Sequence, residues 1–308
     1  MVKFEPDTDI PDLTGRVIIV TGGNAGLGLE TVRQLAKHNP RRIYLAARSR
    51  DKAQKAIAEL QETATTELPI TFLSLDLSSF TNIKAAAETF KQSENRLDLL
   101  INNAGIMMTP EGLTEDGYEI QFGTNVMGPA LFTLLLLPVL RSTVALNGHP
   151  RVVNLASASE TTAPSDIYQF DELRSTMSQR HTTARYTTSK IADIHYTSAL
   201  SRMISDVQFV SVHPGMVATN LHHNATGFFL TKFLNIAGRI AATPVAKGAH
   251  SQIWAAVSPD AMHGGYYGPV GIPAGSKASH DGELSKQLWC WMRGELQHHV
   301  EMPEELIV

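Results

Sequence analysis

Arg16-Val17-Ile18-Ile19-Val20-Thr21-Gly22-Gly23-Asn24-Ala25-Gly26-Leu27-Gly28 is the stretch on which the fold turns. It opens with a short apolar, β-branched run, long enough for a buried strand. A glycine-rich turn follows, and then LETVRQLAKHN, whose apolar residues have helical spacing. Strand, glycine turn and helix in this order form the context that a dinucleotide phosphate site requires. Glycines permit a tight turn and close backbone approach, while a helix N-terminus offers free N–H groups and a positive dipole. The spacing is G-x-x-x-G-x-G, distinct from the more familiar G-x-G-x-x-G.

Outward from this stretch, strand-like and helical runs alternate, which predicts a parallel sheet covered on both faces. The strands expected are Val17–Thr21, Arg42–Ala46, Ile70–Ser74, Leu97–Ile101, Arg151–Leu155, Gln208–His213 and Gly265–Tyr267. The helices expected are Leu27–His38, Ser49–Thr63, Ser79–Asn95, Tyr118–Leu140, Tyr186–Ile204 and Pro244–Ala256. No internal repeat or low-complexity linker marks a second domain, so the whole chain reads as a single doubly wound α/β domain. Two segments depart from a minimal core: 158–185 is long and polar, and 220–243 carries Phe228, Phe229, Leu230, Phe233, Leu234 and Ile236. Long insertions in compact domains tend to be lids or binding loops, and the alternative for 220–243 is a helix packed on the core or a partner. The chain after about residue 275 reads as a C-terminal tail.

Composition bounds the function. With 308 residues, 43% hydrophobic and 18% charged, the chain can fill a full core. A net charge of −4 gives no reason to expect nucleic acid or an anionic membrane as partner. MVKFEPDTDIPDL is acidic and lacks an apolar signal region, so no secretory signal is visible. The greasy run Ala130–Leu140, interrupted by Pro138, is too short to span a bilayer and predicts a buried core helix. Cys290 is the single cysteine, which excludes an intramolecular disulfide and makes a cytoplasmic location the expectation. The twelve histidines show no metal-binding pattern; the adjacent pairs His222-His223 and His298-His299 diverge on regular structure. No metal is expected.

Chemistry enters at Arg185-Tyr186-Thr187-Thr188-Ser189-Lys190. The stretch 184–203 holds neither Gly nor Pro, so it predicts a helix. Positions i and i+4 share a helix face, which brings the Tyr186 phenol and the Lys190 ammonium together. A nearby cation favours phenolate over phenol, making a proton donor and acceptor for a carbonyl/alcohol pair. Tyr168 and Tyr196 lack a lysine four residues on.

TGGNAGLG, Asn102-Asn103-Ala104-Gly105, Asn125, Ser157, Tyr186-x-x-x-Lys190 and Pro214-Gly215 together resemble the short-chain dehydrogenase/reductase family, in that family's order. AARSRDKA, the long Ser-to-Tyr interval and Lys286-Gln287-Leu288-Trp289 resemble its retinol-dehydrogenase-like branch and fungal NADP-dependent reductases. The resemblance implies a Rossmann fold with seven parallel strands in the order 3-2-1-4-5-6-7 and direct hydride transfer to or from a nicotinamide. It implies phosphate binding by Gly22, Asn24, Gly26, Leu27 and Gly28, and an adenine contact at Asp76-Leu77. Asn103, Ala104 and Gly105 would lie beneath the cofactor. Pro214, Gly215, Val217 and Thr219 would border the nicotinamide, and 220–243 would cover the substrate.

Within that resemblance, Tyr186 is the general acid/base and Ser157 holds the same substrate oxygen, with Ser159 its rival. Lys190 acts on Tyr186 and the nicotinamide ribose, and Asn125 supports a water chain to Lys190. The second strand ends in Ala47-Arg48-Ser49 without an acid at the turn. A carboxylate there would repel a 2′-phosphate, whereas Arg48 can hold one, so NADP(H) is favoured. The alternative is a surface Arg48 paired with Asp51. Met107, Met108 and the phenylalanines of 228–233 point to a small, largely apolar carbonyl or alcohol substrate, with Glu160 and His222 available for polar groups. A homodimer or homotetramer is implied by the family's habit of pairing helices, although the tail with Trp289 and Trp291 could block or create such a contact. A non-redox isomerase or cyclase, or a catalytically idle cofactor-binding protein, remain open on the same fold.

Overall fold

The computed structural model describes residues 3–217 and 243–307. Among them, one sheet has the strand order β3-β2-β1-β4-β5-β6-β7-β8. The strands are β1 (Val17–Thr21), β2 (Arg42–Ala47), β3 (Ile70–Ser74), β4 (Leu99–Asn102), β5 (Arg151–Leu155), β6 (Gln208–Val212), β7 (Tyr266–Gly268) and β8 (Ile272–Pro273). The first seven run parallel, in the expected order. The eighth, two residues that turn back antiparallel on β7, was not expected. It is too short to carry a periodicity that sequence could show.

Helices cover both faces: α1 (Gly26–Ala36), α2 (Arg50–Glu62), α3 (Phe80–Ser93), α4 (Gly128–Ala145), α5 (Thr182–Met203), α6 (Val245–Val257) and α7 (Gly282–Leu296). The alternation of strand side chains sorts them. Val17 and Ile19 pack with α3, α4, α5 and α7, whereas Ile18 and Val20 pack with α1 and α6. Strands buried on both faces read as continuous apolar runs, which is why VIIVT and RIYLAA are legible as strands.

Three elements differ from expectation. The tail holds α7, whose Leu288, Trp289, Met292 and Leu296 are buried in the same core as Ala192, Tyr196 and Leu200 of α5. Asp281 caps it by accepting from the Glu283 and Leu284 amides at 2.9 and 3.1 Å. Next, the helix expected over Tyr118–Leu140 runs five residues further, to Ala145, after a π-helical turn at Gly123–Met127. Ile120–Ala145 is 26 residues, long and apolar enough by length and composition to cross a membrane, yet 83% of that apolar window is buried inside the fold. Pro138 sits within it without ending it. Finally, α5 starts at Thr182, ahead of the expected Tyr186, because His181 accepts from the Thr183 amide and caps it there. The expected cover at 220–243 lies outside the described residues apart from Thr243.

Candidate active site

The strand order puts β1 beside β4, so the chain leaves their C-terminal ends in opposite directions and opens a crevice there. Gly22 turns the chain at φ +66° and packs so closely that a Cβ would stand 3.0 Å from the Ala104 Cα. A Cβ on Gly28 would stand 2.3 Å from the Gly22 carbonyl oxygen, so glycine is obligatory. Side chains cap α2, α3 and α7, through Ser49, Ser79 and Asp281. Ala25, which precedes α1, gives no side-chain cap. The first amides of α1 therefore remain for another acceptor, and the bare backbone of Gly22, Gly26 and Gly28 lets it approach. This cradle fits a pyrophosphate. Asn24 and Leu27 lie on the same turn, and Leu27 also packs against the cluster formed with α6.

The floor of the crevice is fixed by β1 and β4. Asn103 Nδ2 donates to the Thr21 carbonyl at 2.8 Å, and the Ala104 amide donates to Thr21 Oγ1 at 2.9 Å. Gly105 leaves open the space next to the Lys190 ammonium: a Cβ there would lie 3.8 Å from Nζ. The far wall is Val217, whose methyls crowd Gly248 of α6 beside Leu27 of α1. Gly215 turns at φ +78°, and Pro214 precedes it. Thr219, by contrast, lies outside the described residues.

Helix α5 enters beneath β5. Lys190 Nζ donates to the Leu155 carbonyl at 2.7 Å, which ties it to the strand end just before Ser157. Tyr186 is 6% exposed; its hydroxyl makes no hydrogen bond among the described residues and is not sealed from solvent. Ser157 Oγ receives the Ser159 amide at 3.2 Å and the Ser159 hydroxyl at 2.9 Å. The proton of Ser157 is thus left to donate elsewhere, while that of Ser159 is spent. Asn125 lies on a π-helical turn, Gly123–Met127. Its side chain exchanges hydrogen bonds with the Ile106 backbone at 2.8 and 2.9 Å and donates to Ser189 Oγ at 3.0 Å. It thereby joins the loop after β4 to α5.

At the other end of the crevice, Arg48 is exposed and forms no ion pair with Asp51 or any other carboxylate among the described residues. Asp76 accepts the Ser78 amide at 3.0 Å and its hydroxyl at 2.6 Å, a local turn that opens α3. Leu77 is 5% exposed and belongs to the core. Glu160 does not stand free for a substrate: it is 2% exposed and takes the Ser276 amide at 3.1 Å and its hydroxyl at 2.6 Å. It clamps the Ser157 loop to the segment leading into α7.

Sequence reasoning missed several supporting groups. Gln252 of α6 donates to Thr31 Oγ1 at 2.5 Å and to Asn103 Oδ1 at 3.2 Å, bracing the crevice floor. The Tyr266 hydroxyl donates to the Ser157 carbonyl at 3.2 Å. Asp193, buried, accepts from Lys190 Nζ at 2.8 Å. Burial pushes its carboxyl up to about 6, although the Lys190 ammonium pulls the other way. Burial lowers Lys190, but Asp193 and then Tyr186 more than offset this, so the ammonium is held above its ordinary value. The signal for Asp193 was its spacing, one helical turn beyond Lys190. Tyr196 is wholly buried and donates to Asn154 Oδ1 at 2.7 Å, a core role. Among the described residues no group of His, Cys, Asp and Glu is arranged to hold a metal ion.

Fold and crevice define a doubly wound α/β protein of the dinucleotide-binding kind. Residues 16–166 match the family described as short chain dehydrogenase. A short-chain dehydrogenase/reductase of Armillaria gallica is 37% identical over 295 residues, covering 94% of this chain and 92% of its own. Retinol dehydrogenase 13 of Homo sapiens is 32% identical over 290 residues, covering 90% of this chain and 83% of that protein. Among solved structures, an uncharacterised protein from Mycobacterium paratuberculosis superposes with a TM-score of 0.74 at 26% identity, covering 98% of this chain and all (100%) of that one. The NADPH-bound carbonyl reductase from chicken fatty liver shares the fold, with a TM-score of 0.63 at 24% identity over 86% of this chain and 100% of its own. The chain belongs to the short-chain dehydrogenase/reductase family of oxidoreductases, on its retinol-dehydrogenase-like branch.

Proposed function

We propose that the protein is an NADP(H)-dependent ketoreductase for a largely apolar small-molecule carbonyl, with Tyr186 as proton donor. The observation that carries this reading is the Lys190–Leu155 hydrogen bond, which seats the Tyr186/Lys190 face of α5 against the strand end bearing Ser157. A nicotinamide nucleotide bound in the crevice supplies the hydride. Tyr186 gives its proton to the carbonyl oxygen as negative charge develops there, and the unspent Ser157 proton hydrogen-bonds the same oxygen. Lys190 holds its charge beside Tyr186 and stabilises the phenolate left behind.

The 2′-phosphate preference rests on the exposed, unpaired Arg48 and the absence of a carboxylate at Ala47. An NADP pool kept reduced favours the reductive direction. Apolar substrate character is supported by Met107 and Met108 after the crevice floor and by Met216, 67% exposed after Gly215. A chain with one cysteine, Cys290, suits the reducing cytosol. A panel of ketones and aldehydes, followed by NADPH absorbance at roughly 340 nm, tests the reading. Turnover of an apolar carbonyl by the native chain, lost in Tyr186→Phe, is the result expected. Product formation without any absorbance change would replace redox chemistry with an isomerisation or cyclisation.

A further inference from the structure

Helix α5 carries a buried acid, Asp193, that the proton transfer from Tyr186 does not use. Tyr186, Lys190, Asp193 and Thr197 fall on one stripe of α5, at successive i+3 and i+4 steps. The stripe is polar along its length although α5 is buried on most of its surface. Thr197 joins it to the strand ends, since Asn154 Nδ2 donates to Thr197 Oγ1 at 2.8 Å and Asn154 Oδ1 receives Asn102 Nδ2 at 2.8 Å. Asp193 is 3% exposed, Lys190 is 6% exposed, and among the described residues the carboxylate's one hydrogen bond comes from the Lys190 ammonium at 2.8 Å. A buried carboxylate with a single partner is costly, so its place beside the active ammonium calls for a functional account.

We propose that Asp193 is a positioning residue that clamps the Lys190 ammonium and offsets its charge, thereby setting how strongly Lys190 favours the Tyr186 phenolate and how well the site tolerates an oxidised nicotinamide. Lys190 alone would present an uncompensated positive charge to the crevice. With one N–H on the Leu155 carbonyl and one on Asp193, it keeps a third for the crevice and projects a weaker field. The oxidised nicotinamide ring is cationic and the reduced ring is neutral, so the paired site repels the oxidised form less. The burial that pushes Asp193 up to about 6 means that this compensation is itself titratable. The other ionisable groups bearing on Asp193 are Tyr168, from the segment after β5, and Tyr196 on α5. His195, behind them, is hydrogen-bonded to Tyr168 at 2.7 Å and feels Asp281, Arg202 and His280.

This inference rests on the proposed function, and the test separates the two. Asp193→Asn keeps an acceptor for Lys190 Nζ and removes the charge. NADP+ and NADPH are titrated against native and Asp193→Asn protein, and the pH dependence of carbonyl reduction is compared. The ratio of the NADP+ to the NADPH dissociation constant should rise about tenfold in the variant, and the alkaline limb of the rate profile should move down by about one pH unit. A merely structural Asp193 would change thermal stability and leave both readouts in place. If the variant fails to fold, the native protein supplies the second arm: its own dissociation-constant ratio should rise as pH falls through about 6, where Asp193 loses its charge. An unchanged ratio in both arms overturns the inference while leaving the ketoreductase intact. Failure to bind either nucleotide overturns both.

Discussion

Two buried ion pairs sit close together on α5, and they differ in what their charges meet. Arg185 and Glu119, 3% and 0% exposed, meet at 2.9 Å. Glu119 also takes the Phe122 amide at 2.7 Å, and Arg185 also donates to the Thr109 carbonyl at 3.3 Å. This pair fastens the loop after β4 and the start of the long apolar helix to α5, with a further partner on each charge, although Arg185 Nε is buried without one among the described residues. Lys190 and Asp193 are also deeply buried, and among the described residues the acid's hydrogen-bond partner is the lysine alone. Burial raises both carboxyls, Glu119 and Asp193. What separates them is what the cation faces: Arg185 is enclosed by protein, whereas Lys190 borders the crevice beside Gly105. A buried pair is weak evidence of stabilisation in itself; its surroundings decide whether it holds the fold or tunes a site.

That contrast can be broken from either side. The largest effect belongs to the residue one turn before the crevice pair: Tyr186→Phe should cut turnover about a thousandfold while NADPH titration is unchanged, because on the proposed reading only the proton donor is lost. Near-normal turnover would strip the Lys190 end of its chemical role. On the enclosed pair the effect should appear in stability. Glu119→Ala leaves Arg185 buried without its counter-charge, and should cost about 3–5 kcal/mol in urea unfolding. A loss below about 1 kcal/mol would mean that the loop after β4 is held by something else. Next comes Arg48→Asp, at the opposite end of the crevice. Removing a charge-assisted phosphate contact and adding a repulsive acid should shift the NADPH-to-NADH efficiency ratio at least about tenfold toward NADH. A constant ratio would make Arg48 an ordinary surface cation.

The two pairs also mark where sequence reading stopped. Elements whose signal is local were legible: the apolar strands, the glycine turn that only Gly22 and Gly28 can form, and the one-turn spacing of Tyr186 and Lys190. Asp193 has the same helical logic, yet was missed because i+3 acids beside lysines are common on solvated helices, and only burial makes this one unusual. Glu119–Arg185 spans 66 residues and leaves no pattern in the chain. The same holds for Gln252, which reaches Asn103 from across the sheet at a separation of 149. Helix α7 went unread because its buried residues cover α5, an arrangement set by tertiary packing. The polar stretch 158–185 is folded largely by long-range contacts such as Tyr168 to His195 and Glu160 to Ser276.

The smallest effect expected concerns what stands behind Asp193. His195 is buried, with Nδ1 at 2.7 Å from the Tyr168 hydroxyl and Nε2 at 2.8 Å from the Ala278 carbonyl. Burial lowers it below its ordinary value of 6.5, so the fold prefers neutral imidazole. His213, also lowered by burial, acts in the same sense. The unfolded chain binds these protons more readily, so their contribution is fully present above 6.5 and is lost as pH falls through the folded values. Asp193 opposes them, because its raised value means that protonation relieves a buried charge as pH falls. With five histidines lowered by burial (His38, His195, His213, His250 and His299) pulling against two raised acids, Asp193 and Glu119, Tm should drop by roughly a few degrees between about pH 7.5 and pH 5.5. His195→Gln, which keeps a donor for the Ala278 carbonyl and cannot titrate, should flatten that slope. If the slope of the variant matched the native protein, the acid sensitivity would fall to His213 and the other shifted histidines, and the Tyr168–His195 contact would be packing alone.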